Sequence, residues 1–148
     1  MNKRAIEVFG QVIRVIEGVK DSEFNMDVWR CRSVGCVLGH CSLDSWFNEQ
    51  GFIWSSTDFR PAFEGFEDLG VEYAFQRLLG TEVSSNSIFN YLFFRSSYSY
   101  EVQLSREVVL ERLNMVLAVL KDEGIDSSIP SWVVENLIQL RDCNDENT

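Results

Sequence analysis

Three of the four cysteines and the only histidine of this 148-residue chain lie within residues 29–41, WRCRSVGCVLGHC. Thiolate sulfur and imidazole nitrogen are common ligands of zinc in tetrahedral sites. On a helix, Cys36 and His40 would lie one turn apart on the same face, whereas the adjacent His40 and Cys41 would point about 100° apart. The paired C-x₂-C spacing that is typical of structural zinc sites does not occur in the chain. A small zinc-binding or thiol-dependent protein is therefore an alternative interpretation, with Cys31, Cys36, His40 and Cys41 as its candidate ligands.

The same segment begins a series of thiol, imidazole and carboxylate at helical spacing. Cys36, His40 and Asp44 stand at positions i, i+4 and i+8, and a neighbouring imidazole can activate a thiolate. However, a straight helix separates successive members of such a series by about 6 Å, whereas catalytic groups must converge on one point. The chain has no second histidine and no Walker loop, G-x-G-x-x-G, G-x-S-x-G or H-E-x-x-H motif. We therefore predict that the protein is not an enzyme and uses no cofactor.

Close packing between helices is the interpretation that the cysteine cluster favours. Free cysteine is among the most buried residue types. The apolar spacing predicts one helix from Ser33 or Val34 to about Phe47. Gly35 and Gly39 would lie on one face of that helix, where they would let another backbone approach closely. We expect the thiols and glycines of this helix to fill space in the core.

The elements that would hold this helix in place are mainly further helices. Apolar residues recur at helical spacing in most of the chain, and serines stand at several expected helix starts. We predict a mainly α fold, a compact single-domain bundle of five to seven helices over residues 1–148, with its last few residues frayed. The region 49–66 is predicted to be an aromatic-rich irregular insertion with a short strand at 52–54, and 96–103 to be a loop or edge strand. The expected helices cover residues 3–19, 33 or 34 to 47, 67–79, 84–94, 106–123 and 130–143.

The net charge of −10 is concentrated in two parts of the chain. Residues 58–82 hold six acids against two arginines, and residues 121–148 hold seven acids against Lys121 and Arg141. Negative charge repels phosphate backbones, so direct nucleic-acid binding is not expected. The same charge can steer the chain toward a basic partner surface, although solubility alone also explains it. A self-associating structural protein is a third class of function that the composition allows.

The cell compartment of the protein can also be predicted from the apolar pattern. No run of about 18 apolar residues occurs, so no membrane span is expected. The apolar stretch near the N-terminus is interrupted by Arg14 and Glu17, and no small-residue cleavage site follows, so a signal peptide is not expected. Four cysteines without a secretory signal favour reduced thiols in the cytoplasm.

A spaced set of aromatic, sulfur-containing and small residues runs from residue 24 to residue 94. It consists of Phe24-Asn25-Met26, Trp29, Cys31, Gly35-Cys36, Gly39, Leu79-Gly80 and Leu92-Phe93. This pattern resembles a family of small uncharacterised proteins that are carried mostly by phages and other mobile elements. The chain departs from the family pattern at Arg32-Ser33, where a Gly-Thr step is common, and at His40, which replaces an aromatic residue.

The resemblance implies a shared helical scaffold and a biological context rather than a chemistry. Small acidic phage proteins without enzyme motifs often bind a host protein, such as a CRISPR or other defence complex with a basic nucleic-acid groove. Acidic residues can occupy such a groove by placing charge where phosphates would lie. We therefore expect a non-enzymatic anti-defence protein that inhibits a basic, nucleic-acid-binding protein in the host cytoplasm. Its candidate partner-binding residues are aromatic anchors and flanking acids, namely Phe52, Trp54, Asp58, Phe59, Phe63, Glu64, Glu67 and Asp68.

Overall fold

Helices make up most of the fold in the computed structural model. The structure describes residues 1–27, 30–31, 34–99 and 104–143, and it describes residues 30, 31, 34 and 35 by their backbone alone. The prediction of a mainly α fold is confirmed, and two short antiparallel strand pairs accompany the helices. The helices are α1 (Lys3–Glu17), α2 (Val37–Cys41), α3 (Ser45–Glu49), α4 (Val71–Leu79), α5 (Asn86–Phe93), α6 (Arg106–Leu120) and α7 (Ser131–Arg141). The strands are β1 (Arg30–Cys31), β2 (Val34–Gly35), β3 (Phe52–Ser55) and β4 (Arg60–Phe63).

Helix α1 begins at a side-chain cap and packs against α6, α2 and α4. The Asn2 side-chain oxygen accepts a hydrogen bond from the Ala5 amide at 3.0 Å. The amide nitrogen of the same buried side chain donates to the Leu140 carbonyl of α7, also at 3.0 Å. The predicted helix near 3–19 is confirmed, and it ends at Glu17. Its buried face consists of Ala5, Val8, Phe9, Val12, Ile13 and Ile16.

The predicted second helix, from Ser33 or Val34 to Phe47, is wrong. Cys31 pairs with Val34 in the β1–β2 pair, and two five-residue helices follow it. Helix α2 ends at Cys41, and the Asp44 carboxylate then starts α3 by accepting the amides of two residues in its first turn. A side-chain cap of this kind favours a new helix start over continuation of the old helix. Gly35 lies in β2 and Gly39 in α2, so the two glycines do not share a helix face. Ser33 lies outside the described residues.

The aromatic insertion is a β-hairpin and is therefore more regular than predicted. Strand β3 confirms the expected short strand, and it pairs with β4 from Phe52–Phe63 to Ser55–Arg60. Arg60 and Pro61, which lie in the region predicted to be irregular, belong to β4. The hairpin packs on α4 through β4 and on α3 through β3.

Helix α4 begins four residues later than predicted. Residues Glu67–Leu69 form a single 3₁₀ turn, and Gly70 follows with φ of 90°, which separates the two elements. Leu69, which lies within the predicted helix range, is exposed. The buried face consists of Val71, Ala74, Phe75, Leu78 and Leu79, and the helix ends before Gly80, as predicted.

Helices α5, α6 and α7 pack on one another and complete the core, with α6 against α1. The Ser105 hydroxyl accepts from the Val108 amide and caps α6, as predicted, but α6 ends at Leu120 and not near Gly124. Asp122 adopts a left-handed backbone with φ of 59°, which starts the α6–α7 loop. The predicted inner residues of α7 (Val133, Leu137 and Leu140) are buried.

None of the helices in the described ranges combines the length and the apolarity that crossing a bilayer requires. The region 96–103 was predicted to be a loop or edge strand, and its first two residues belong to a 3₁₀ turn at Arg95–Ser97. Residues 100–103 lie outside the described residues. The residues that were predicted to fray, from 144 to the end of the chain, also lie outside them.

Candidate functional site: an acidic hairpin surface

A close contact at the base of the β3–β4 hairpin fixes its position on the core. Gly51 has φ of 94°, and a Cβ at this position would lie 2.8 Å from the Phe63 ring. The Gly51 carbonyl also accepts the Glu64 amide at 2.8 Å. On the other side of the hairpin, the Arg77 guanidinium of α4 lies 5.3 Å from the centre of the Phe63 ring and 4.3 Å from that of Phe66. These contacts use Phe63 as a structural residue that joins the hairpin to α4.

The turn of the hairpin presents an aromatic side chain to solvent. The Phe59 amide donates to the Ser55 carbonyl at 2.8 Å, and the Asp58 amide donates to the Ser55 hydroxyl at 3.1 Å. Phe59 has φ of 55°, in the left-handed region that non-glycine residues rarely occupy, and 72% of its surface is exposed. Such a backbone conformation costs on the order of 1 kcal/mol. The turn therefore holds a large apolar side chain outward at an energetic cost to the fold.

Four of the predicted partner-binding residues lie together beside this turn. Trp54, Asp58, Glu67 and Asp68 line one open cleft of about 430 Å³ between the hairpin and the 3₁₀ turn at Glu67–Leu69. The other lining residues are Ile53 and the polar residues Ser55, Ser56 and Thr57. We use the name acidic hairpin surface for Trp54, Asp58, Phe59, Glu67 and Asp68. Chain folding thus brings Asp58 into one cleft with Glu67 and Asp68, which follow it by nine and ten residues.

Three of the predicted residues take other places. Phe52 is fully buried, with its ring centre 5.9 Å from that of Phe47, so the prediction that it anchors a partner is wrong. It faces the core because β3 packs on α3, where the Phe47 ring meets it edge to face. Glu64 is exposed but does not line the cleft, and Phe63 is held between Gly51 and Arg77. The sequence reading missed Leu69, an exposed apolar residue next to the cleft.

The two described thiols of the cysteine cluster are buried. Cys36 is the residue before α2, Cys41 ends this helix, and both belong to the core. Burial raises the pKa of the Cys36 thiol to about 11, and burial also raises the pKa of Cys41 well above its usual value. Both thiols are therefore protonated near neutral pH, and this state disfavours nucleophilic attack and metal binding. The prediction that these cysteines fill space in the core is confirmed for Cys36 and Cys41.

Neither the metal site nor the catalytic series is assembled in the described part of the chain. His40 directs its ring Nε2 at the Glu23 carbonyl, 2.7 Å away, so this nitrogen carries a proton. Asp44 caps α3 and pairs with Arg14 at 2.8 Å, and the break between α2 and α3 removes the predicted i, i+4, i+8 geometry. Among the described residues, no group of three histidine, cysteine, aspartate or glutamate side chains could hold a metal ion. The side chain of Cys31, the fourth candidate ligand, lies outside the described part.

A comparison of the chain with family models, with curated proteins and with solved structures finds no match. The resemblance to phage and mobile-element proteins over residues 24–94 therefore stays a prediction. The described residues do not include Trp29, which belongs to that pattern, or Arg32-Ser33, where the chain departs from it.

Proposed function

We propose that the protein is a non-enzymatic binding protein that docks through the acidic hairpin surface on a basic surface of a partner protein. The observation that carries this proposal is the exposure of Phe59 at the tip of the hairpin, in a left-handed backbone conformation. Strained residues of this kind tend to occur at functional sites. A rigidly presented aromatic side chain that enters a pocket on a partner is the type of residue that dominates binding energy.

Charge defines the class of partner that fits this surface. Asp58, Glu67 and Asp68 surround the cleft beside Phe59, and the chain as a whole carries −10. Carboxylates in this arrangement attract the lysines and arginines of a nucleic-acid groove and accelerate the encounter with it. The partner that we propose is a host nucleic-acid-binding protein, such as a CRISPR or other defence complex, which the bound chain inhibits. This part of the proposal rests on the charge and on the resemblance to phage and mobile-element proteins.

The experiment measures binding to purified CRISPR effector complexes and inhibition of their nucleic-acid cleavage by the full chain. One variant carries Asp58→Lys, Glu67→Lys and Asp68→Lys. A matched control carries Glu17→Lys, Glu49→Lys and Glu135→Lys, three exposed acids on helices, and therefore has the same net charge. We expect the wild type and the control to bind and inhibit at least one complex, and the hairpin variant to lose affinity by about tenfold or more.

Two results would contradict the proposal. If both triple variants lose affinity equally, overall charge and not the hairpin determines binding. If the hairpin variant and a Phe59→Ala variant both inhibit as well as the wild type, the acidic hairpin surface takes no part. Binding should also weaken as salt is added, because exposed charges across an interface are screened.

A further inference from the structure

We infer that the groove between α6 and the α6–α7 loop is a second docking surface, which binds a short basic peptide segment with apolar side chains. Helix α6 carries apolar residues around most of its circumference after Leu113, and α1 and α7 cover two of its sides. A third side, which carries Glu111, Met115 and Ala118, lines an open groove of about 550 Å³. The inference involves none of the residues of the acidic hairpin surface and does not depend on the proposed function.

The floor of this groove is apolar and accessible. Met115 and Ala118 are half-buried and lie three residues apart, so they occupy the same face of α6. Ile125 of the α6–α7 loop joins them, with 51% of its surface exposed. The three side chains line the same groove, which no described element of the chain fills.

Acids stand around this floor and determine which occupant fits. Glu111, Glu123 and Asp126 are all exposed and line the groove together with the apolar residues, and none of its described lining residues is basic. A second copy of this chain would bring further negative charge, and nucleic acid or an anionic membrane would be repelled as well. A peptide that places apolar side chains on the floor and lysines or arginines at the rim complements both features.

The loop that forms one wall of the groove is anchored to α6. The Glu123 amide donates to the Ala118 carbonyl at 2.8 Å. The Ser128 hydroxyl donates to the Asp126 carboxylate at 2.6 Å and lies 3.5 Å from the Met115 sulfur. A wall that is already ordered reduces the conformational entropy that a peptide must overcome on binding.

The test is fluorescence anisotropy with two labelled peptides of identical leucine and lysine composition. In the first peptide the leucines form one helical face, and in the second they are evenly scattered. We expect the full chain to bind the first peptide at least about tenfold more tightly than the second, because only the first can cover the apolar floor. The triple variant Glu111→Lys, Glu123→Lys, Asp126→Lys should lose this binding. The variant Ala118→Trp, which fills the floor without changing charge, should lose it too.

The hairpin variant Asp58→Lys, Glu67→Lys, Asp68→Lys serves as the matched control and should bind the first peptide within about twofold of the wild type. Equal binding of the two peptides, or equal losses in the groove and hairpin variants, would show general attraction to an acidic chain and would overturn the inference. Circular dichroism checks that each variant is folded. As a measurement on the unaltered chain, NMR shifts of the Met115 and Ile125 methyl groups should change on addition of the first peptide. Unchanged shifts would also overturn the inference.

Discussion

The cysteine cluster has reactive residue types but is buried, whereas the acidic hairpin surface has common residue types but is exposed. The cluster combines thiols with the only histidine, yet Cys36 and Cys41 are buried in the core and His40 is hydrogen-bonded to the Glu23 carbonyl. The hairpin is made of common residue types, yet it exposes Phe59 at a strained turn beside a cleft with three acids. The comparison shows that accessibility and backbone geometry, more than the reactivity of the residue types, distinguish a candidate site from the core.

The largest effect that tests this comparison is expected within the hairpin itself, where two phenylalanines have different environments. Phe52→Ala should lower the free energy of unfolding by about 3–5 kcal/mol, because it leaves a cavity in the core. Phe59→Ala should change stability by less than about 1 kcal/mol, because its side chain is exposed. Chemical denaturation measures both values. Similar losses in the two variants would mean that Phe59 is also a core residue.

The next effect concerns the reactivity of the buried thiols. The raised pKa of Cys36, about 11 instead of 9.0, leaves about a hundredfold less thiolate at neutral pH, and burial also blocks access. We expect alkylation of both cysteines to be slow in the folded chain and complete on unfolding, and that of Cys36 to accelerate as the pH rises toward 11. Peptide mass spectrometry measures this, with the half-buried Cys143 as the internal control. Rapid labelling of Cys36 at pH 7 would contradict the burial of the cluster.

A smaller effect is expected at the base of the hairpin. Gly51→Ala should destabilise the fold by about 1–3 kcal/mol, because the new methyl group meets the Phe63 ring and the backbone has φ of 94°. Gly65→Ala is the matched control, since Gly65 has φ of 85° but no atom lies within 4 Å of the position of its Cβ. The difference between the two variants in thermal or chemical unfolding measures the close contact alone. Equal losses would show that Gly51 is needed only for its backbone conformation.

The smallest effect separates stability from binding at Phe59. Phe59→Gly should raise the free energy of unfolding by about 0.5–1 kcal/mol relative to Phe59→Ala, because glycine adopts a left-handed backbone without strain. The same variant should bind the proposed partner more weakly than the wild type. A variant that is more stable and also binds normally would remove Phe59 from the interface.

The sequence predicted the long helices well because their signals are local. The apolar spacing of α1 and α7 and the serine before α6 are sufficient to place these helices to within a few residues. The second predicted helix was wrong because the apolar spacing continues past Ser42 and Leu43, whereas the cap at Asp44 divides the segment into two helices. The predicted start of the third helix at residue 67 was wrong because Gly70, with φ of 90°, separates the 3₁₀ turn at Glu67–Leu69 from α4.

The candidate site was predicted only in part because its geometry depends on contacts that are distant in sequence. The acids at 58 and 67–68 were identified by their charge, but the cleft that joins them depends on how the hairpin packs. Phe52 and Phe59 have the same residue type and were both predicted to anchor a partner. The contact of Phe52 with Phe47 of α3 holds the first ring in the core, and the closure of the turn on Ser55 leaves the second ring exposed.

The hydrogen bond from the Asn2 side chain to the Leu140 carbonyl joins two residues that are 138 positions apart. During synthesis this bond can form only after nearly all of the described chain has emerged from the ribosome. The link between the start of α1 and the end of α7 is therefore made late, and the finished fold brings the beginning of its first helix beside the end of its last. A short linker between these two points, with new ends opened elsewhere in a surface loop, would give a circular permutant that keeps the same core.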